Sequence, residues 1–252
     1  MGAFQGQTAV VTGGSRGLGR GIVEALAAQG MRVVALARDP QHLAKLKAEV
    51  KGDVQTVAAD AVDPVVAAQV LERERPRLLV LNAGANGITR ATRAQTWETF
   101  SRHLEVDFRS VFNWTREALV LPLEKGSTVV IVSSQGALRG SSISAGYAAA
   151  KAAIWSFARA VAGEAQEMGI KVHCLLPGLA PETELGGAAL KAFSRSMGVS
   201  EDEVLERKAM RPVFTAALMG QQMVELLTDP ANAATVSYRA TGRGLIALPE
   251  VG

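Results

Sequence analysis

The sequence predicts an α/β, three-layer doubly wound fold with a mainly parallel, seven-stranded sheet. Two observations lead there. Short β-branched or leucine-rich runs alternate strictly with longer helical patterns, and those runs are continuously apolar rather than alternating. Continuous runs are expected when helices cover both faces of a parallel sheet, and strict alternation implies right-handed βαβ crossovers. The candidate strands are TAVVT (8–12), RVVALA (32–37), VQTVAA (54–59), RLLVL (77–81), STVVIVS (127–133), IKVHCLL (170–176) and GLIAL (244–248). Helical periodicity marks 18–29, 41–50, 96–121 and 147–168.

Composition excludes several classes. The chain has 252 residues, 48% hydrophobic and 20% charged, enough for one large domain spanning 1–252. Its formal charge is +3 with scattered basic residues, which gives no clustered basic face for nucleic acid. No apolar run approaches the ~20 residues of a membrane helix, and no basic segment followed by an apolar one opens the chain. The single cysteine, Cys174, reads as a small buried thiol in a reducing compartment. A soluble cytoplasmic protein is the expectation. His42, His103 and His173 lack metal-ligand spacing, so no metal site is expected. Ser134 is not in a G-x-S-x-G elbow, which argues against an esterase. Trp97, Trp114 and Trp155 fall on helical segments and read as core or interface residues.

The first βα turn, VVTGGSRGLGRGI, has Gly13, Gly17 and Gly19 between strand and helix. Glycine permits positive φ and close backbone approach to a pyrophosphate, and a helix N-terminus offers N–H groups to phosphates. The second strand ends in ALARDP, without an acid at its last position. An acid there favours NAD through the ribose 2′-hydroxyl. Here Arg38 follows the strand and Arg16 sits in the turn, and two guanidinium groups suit a 2′-phosphate. NADP(H) is therefore preferred over NAD(H). Asp39 stands close by, and the alternative reading is that both arginines are solvated surface charges.

In SAGYAAAKAAI, Tyr147 and Lys151 lie four apart and share one helix face. Alone, the pair reads as a half-buried ring beside a solvated charge. Its context changes that. The T-G-x-x-x-G-x-G spacing, LNAG (81–84), the serine pair ending VVIVSS, YAAAK and the LLPGLAPET loop occur in order, with Ser134 thirteen residues before Tyr147. Together they resemble the short-chain dehydrogenase/reductase family, from about residue 5 to about 230. The resemblance implies a doubly wound (Rossmann) fold and hydride transfer between a nicotinamide cofactor and a ketone or secondary alcohol. It makes Tyr147 the general acid/base, Ser134 the substrate-orienting hydroxyl and Lys151 the partner of both phenol and ribose. Cofactor contacts are expected at Gly13, Ser15, Arg16, Gly17, Leu18, Gly19, Arg38, Asp60, Ala61, Asn82, Ala83, Gly84, Tyr147, Lys151, Pro177 and Gly178. The chemistry agrees, because a free phenol ionises near ~10, too high for neutral acid/base work, and an adjacent ammonium favours the phenolate.

Two stretches depart from the family. Where it usually has an asparagine in a V-N-x-x-S-V-F pattern, this chain has EVDFRSVF, with Asp107 in that place. Asp107 joins the candidate catalytic residues: it keeps the family asparagine's place beside a water that links the lysine to solvent, or pairs with Lys151 and alters the pH profile, or is a surface aspartate without influence. The tail, SYRATGRGLIALPEVG, matches the family's last strand only loosely. The helices at 96–121 and 147–168 are the family's usual dimer face, so a homodimer or homotetramer is expected. An insertion at about 179–211 carries two short amphipathic helices, near 185–197 and 200–210, and reads as a substrate lid. Its Leu185, Leu190, Phe193 and Met197 suggest an apolar or mixed small-molecule substrate. The alternative function is a non-catalytic dinucleotide-binding sensor or scaffold of the same fold.

Overall fold

The computed structural model of the protein describes residues 4–249. Eight strands form one sheet: β1 (Thr8–Thr12), β2 (Arg32–Ala37), β3 (Val54–Ala58), β4 (Leu78–Leu81), β5 (Thr128–Val132), β6 (Lys171–Pro177), β7 (Ser237–Thr241) and β8 (Gly244–Ala247). Their order is β3-β2-β1-β4-β5-β6-β7-β8, and every pair is parallel except the terminal β7–β8 hairpin. The helices are α1 (Gly17–Ala28), α2 (Pro40–Glu49), α3 (Pro64–Glu74), α4 (Trp97–His103), α5 (Arg109–Val120), α6 (Gly136–Arg139), α7 (Ala145–Glu167), α8 (Glu184–Met197), α9 (Glu201–Arg207) and α10 (Ala216–Thr228).

Two cores sandwich the sheet. Ile22, Val23 and Leu26 of α1, Leu43 and Leu46 of α2, and Met219 and Met223 of α10 bury Val11, Val33 and Val130 on one face. On the other, Val70 of α3, Trp114 of α5 and Ile154 of α7 bury Val10, Leu79 and Ile131. Alternate residues of one strand thus serve opposite cores, which is why the central strands read as unbroken apolar runs.

The strand count is eight rather than seven, because SYRAT is β7. Polar Ser237, itself buried, and Arg239 alternate with apolar Tyr238 and Ala240, so it lacks the apolar run that marks its neighbours. Nor is the segment 96–121 one helix. Between α4 and α5, Leu104–Phe108 forms a π-helical turn. Apolar Leu104, Val106 and Phe108 continue the hydrophobic pattern through it, so periodicity gave no warning. Trp97 is not a core residue but is 73% exposed and stacks on Phe100. Trp114 is fully buried, its Nε1 donating to the Ala61 carbonyl at 2.9 Å.

Candidate active site

The carboxyl ends of the strands open into a cleft of about 1250 Å³. Its floor begins at the glycine turn. Gly13 and Gly17 take φ of 66° and 54°, a region closed to most side chains. A Cβ on Gly19 would lie 2.1 Å from the Gly13 carbonyl, so only glycine lets α1 start so close to the turn. Asn82 fastens this turn by donating from Nδ2 to the carbonyls of Thr12 and Gly13, both at 3.2 Å. The Thr12 hydroxyl accepts the N–H groups of Asn82 and Ala83. Arg16 caps α1 without a side-chain hydrogen bond to its N–H groups. These N–H groups, Ser15, Leu18, Ala83 and Gly84 border the cleft, an arrangement that fits a pyrophosphate.

Asp60, Ala61, Arg38 and Asp39 line the adjoining part of the cleft. Asp60 accepts the Val62 N–H at 3.0 Å. Asp39 is occupied as the cap of α2, accepting from Gln41 N at 2.8 Å and pairing with His42 at 2.7 Å. The backbone N–H of Gln41 holds its carboxyl below the ordinary range, against a weak push up from burial. Arg38 is exposed and has no carboxylate partner among the described residues. Arg16 instead reaches across the cleft, pairing with Glu184 at the start of α8 and donating to Asn86 Oδ1 at 3.3 Å.

At the other end of the cleft, α7 presents Tyr147 and Lys151. Lys151 Nζ lies 5.6 Å from the Tyr147 ring centroid. Ser133 Oγ donates to the Lys151 carbonyl at 2.7 Å, which seats α7 on the end of β5. Ser134 Oγ accepts from Gly136 N at 3.0 Å. Gly136 lies against both, since a Cβ there would be in van der Waals contact with that oxygen at 3.4 Å and with the Tyr147 ring at 3.5 Å. Gly178 N donates to the Ala240 carbonyl at 3.0 Å, and Gln135 N to the Pro177 carbonyl at 3.0 Å. Ser134, Tyr147, Lys151, Pro177 and Gly178 therefore border one space.

The π turn delivers Asp107 to the same place. Asp107 is 1% exposed, and its Oδ2 lies 3.3 Å from Lys151 Nζ. Its Oδ1 accepts the Ala85 N–H at 2.7 Å. Burial alone pushes the Asp107 carboxyl up, but Lys151, His103 and the Ala85 N–H outweigh it and hold it below the usual carboxylate range. Burial likewise opposes the Lys151 charge, yet Asp107 and Tyr147 raise its pKa above the ordinary lysine value. The pair is thus an ionised buried bridge. The thiol of Cys174 is also buried, and burial pushes it up to about 12, which leaves it protonated and inert.

His103, which the sequence reading considered only as a metal ligand, is buried in this cluster. Its Nδ1 is 3.4 Å from Asp107 Oδ2, and its ring meets Tyr147 edge-on at 5.2 Å between centroids. Neither ring nitrogen has a well-aligned hydrogen-bond partner. The available signal was its spacing, four residues before Asp107. Glu184 and Asn86 were missed as well, because their contacts with Arg16 join segments far apart in sequence. In the lid, only part of the expected apolar lining faces the cleft. Leu185 does, whereas Leu190, Phe193 and Met197 pack with Val204 and Leu205 between α8 and α9. The amphipathic faces of the two short helices satisfy each other.

Comparison with known proteins gives consistent findings. The profile of the family described as short chain dehydrogenase matches residues 7–192. The 3-oxoacyl-acyl-carrier-protein reductase of Escherichia coli is 31% identical over 182 residues, covering 69% of this chain and 74% of its own. A granaticin polyketide synthase putative ketoacyl reductase from Streptomyces violaceoruber is 30% identical over 242 residues, 90% of this chain and 88% of its own. Among solved structures, an actinorhodin polyketide ketoreductase variant with NADPH superposes with a TM-score of 0.82 at 26% identity, covering 96% of this chain and 98% of that one.

Proposed function

Because the chain belongs to the short-chain dehydrogenase family, an NAD(P)-dependent class of oxidoreductases, we propose that it reduces ketones with NADPH and oxidises the matching secondary alcohols with NADP+. The observation that carries this reading is the meeting of Ser134, Tyr147 and the Lys151–Asp107 bridge at one end of a cleft whose other end is the glycine turn. The similarity to ketoacyl reductases, and to a neighbour holding NADPH, supports it.

The residues fit the cofactor. The positive-φ glycines, the close approach at Gly19 and the free N–H groups of α1 suit its pyrophosphate. Asp39 is engaged at the α2 cap, so it is poorly placed to accept from a ribose hydroxyl, while Arg38 remains without a carboxylate partner and suits a 2′-phosphate. When bound, the cofactor supplies or accepts the hydride. Ser134 donates a hydrogen bond to the substrate oxygen and fixes its position. Tyr147 gives its phenolic proton to that oxygen in reduction and takes it back in oxidation. Lys151 holds a positive charge beside the phenol and offers hydrogen bonds to ribose hydroxyls. Asp107 anchors Lys151 through their 3.3 Å bridge and offsets part of its charge at the phenol, and Asn82 holds the sheet end on which the site stands.

Exposed Phe112 and Val120 on α5, with Leu121 just beyond its end and Phe157 of α7 alongside, support a homodimer or homotetramer through this face. A cytoplasmic location goes with the reading, and no helix among the described residues is long and apolar enough to cross a membrane. The test is steady-state reduction of a ketone panel with either cofactor. NADPH should exceed NADH at least ~10-fold in kcat/KM, equivalent to about 1.4 kcal/mol, and Arg38→Ala should narrow that ratio. Equal use of both cofactors would remove the NADP(H) assignment. Tight NADPH binding without turnover on any ketone would remove the enzymatic one.

A further inference from the structure

We propose that Arg239 anchors an anion subsite in the substrate cleft, so that the ketone substrate carries a carboxylate or phosphate group. The inference rests on the reading of this cleft as a ketone-reducing site, and names the class of substrate it takes.

Register places Arg239 in the site. Val132 pairs with Leu175 across β5 and β6, so Ser133 lies beside Leu176, and Leu176 pairs with Arg239 across β6 and β7. Ser133, Leu176 and Arg239 therefore form one row at the carboxyl edge of the sheet. Two strand spacings put Arg239 ~10 Å from Ser133 along that row. Alternation decides the face. Tyr238 and Ala240 enter the core beneath α1 and α10. Arg239 thus faces the opposite side, as does Ser237, whose hydroxyl accepts from Trp155 Nε1 of α7. That is the face on which α7 carries Tyr147. The next residue, Ala240, offers its carbonyl to Gln135 Nε2 and Gly178 N, the neighbours of Ser134 and Pro177. Arg239 lines the cleft.

Arg239 Nε is buried with no hydrogen-bond partner, and the guanidinium has no carboxylate partner among the described residues. A buried donor of this kind ordinarily has an acceptor. Exposed Arg139 and Arg243 line the same cleft and are also without carboxylate partners among the described residues. Its carboxylates are already engaged, Glu182 by the Ala216 N–H, Glu184 by Arg16, Asp39 by the Gln41 N–H and His42, Asp60 by the Val62 N–H and Asp107 by Lys151. The cleft therefore holds several guanidinium groups that no carboxylate among the described residues engages. Carboxylate and phosphate share the planar or tripod oxygen edge that guanidinium binds by two parallel hydrogen bonds.

The test uses the full chain with NADPH and a matched series: straight-chain oxo-carboxylates of several lengths, their methyl esters, and phosphorylated hydroxyketones. Wild type should favour an anionic member over its neutral counterpart at least ~10-fold in kcat/KM. Arg239→Met should raise KM for that anion by a similar factor and change kcat/KM for the esters less than twofold, with Arg239→Lys between. Thermal shift of the NADPH-loaded protein by the same oxo-acids and phosphates reads binding independently of turnover. Carboxylates and phosphates identify the anion by which of them loses more in Arg239→Met. Equal handling of acids and esters by wild type, or an equal loss on both in Arg239→Met, would overturn the proposal. A thermal shift by anions that Arg239→Met abolishes, without turnover of any ketone, would keep the subsite and count against the reductase reading instead.

Discussion

At the scale of single residues, the account turns on what Asp107 does to Lys151. Sequence spacing placed Tyr147, Lys151 and Ser134 in order and flagged Asp107 as a departure, but a linear pattern carries no distances. The 3.3 Å bridge and the His103 ring behind it emerge only once α4, the π turn and α7 are packed. A carboxylate that close offsets part of the lysine's field at the phenol. Asp107→Asn should therefore move the pH midpoint of alcohol oxidation downward, by on the order of one unit, as expected for a charge effect of ~1.4 kcal/mol. An unchanged midpoint would show that Asp107 does not tune the phenol. Stability gives a second readout with a fixed sign. The Asp107 pKa is depressed, so its contribution is present above its unfolded value near ~3.9 and is lost as pH falls through the folded value. The Lys151 pKa is raised, so its contribution is present below ~10.4 and is lost as pH rises through the folded value. Urea unfolding at neutral pH should find Asp107→Asn weaker by about 3 kcal/mol, the order expected when a buried charge loses its partner. The gap between wild type and variant should close in acid.

Among the elements, glycines set how closely helices approach, and they do so for different ends. A Cβ on Gly220 of α10 would meet the Gly21 carbonyl of α1 at 2.3 Å, far from Tyr147 in sequence and on the other face of the sheet. A Cβ on Gly146, next to Tyr147, would meet the Phe100 carbonyl of α4 at 2.3 Å. Both alanine variants should lose about 1–3 kcal/mol from overpacking. Only Gly146→Ala should also lower kcat, by roughly 10-fold or more, because α7 must shift with its phenol. Comparable kcat losses in both variants would mean that the site responds to general loosening. The central strands were legible because both of their faces are apolar, and the lid helices because they are amphipathic. The π turn and β7 were not, since one preserves the apolar pattern of a continuous helix and the other exposes polar residues to a cleft.

For the molecule as a whole, one parallel sheet brings the ends of β1, β2, β4, β5, β6 and β7 to a single cleft, and chemistry is distributed along it. The glycine-turn end of the cleft was readable from local motifs, because each segment that lines it follows one strand. Features that join distant segments were invisible to motif reading: the Arg16–Glu184 contact from turn to lid, and Arg239 reaching the cleft from β7. Only assembly of the sheet creates them. Turnover in this cleft depends on one proton, that of Tyr147. Its most direct measurement is ketone reduction by Tyr147→Phe with NADPH, alongside NADPH binding by fluorescence. Loss of the phenolic proton should lower kcat by at least ~100-fold, the scale of general acid catalysis, while NADPH binding stays within a few-fold. Reduction at near wild-type rate by the phenylalanine variant would contradict the account.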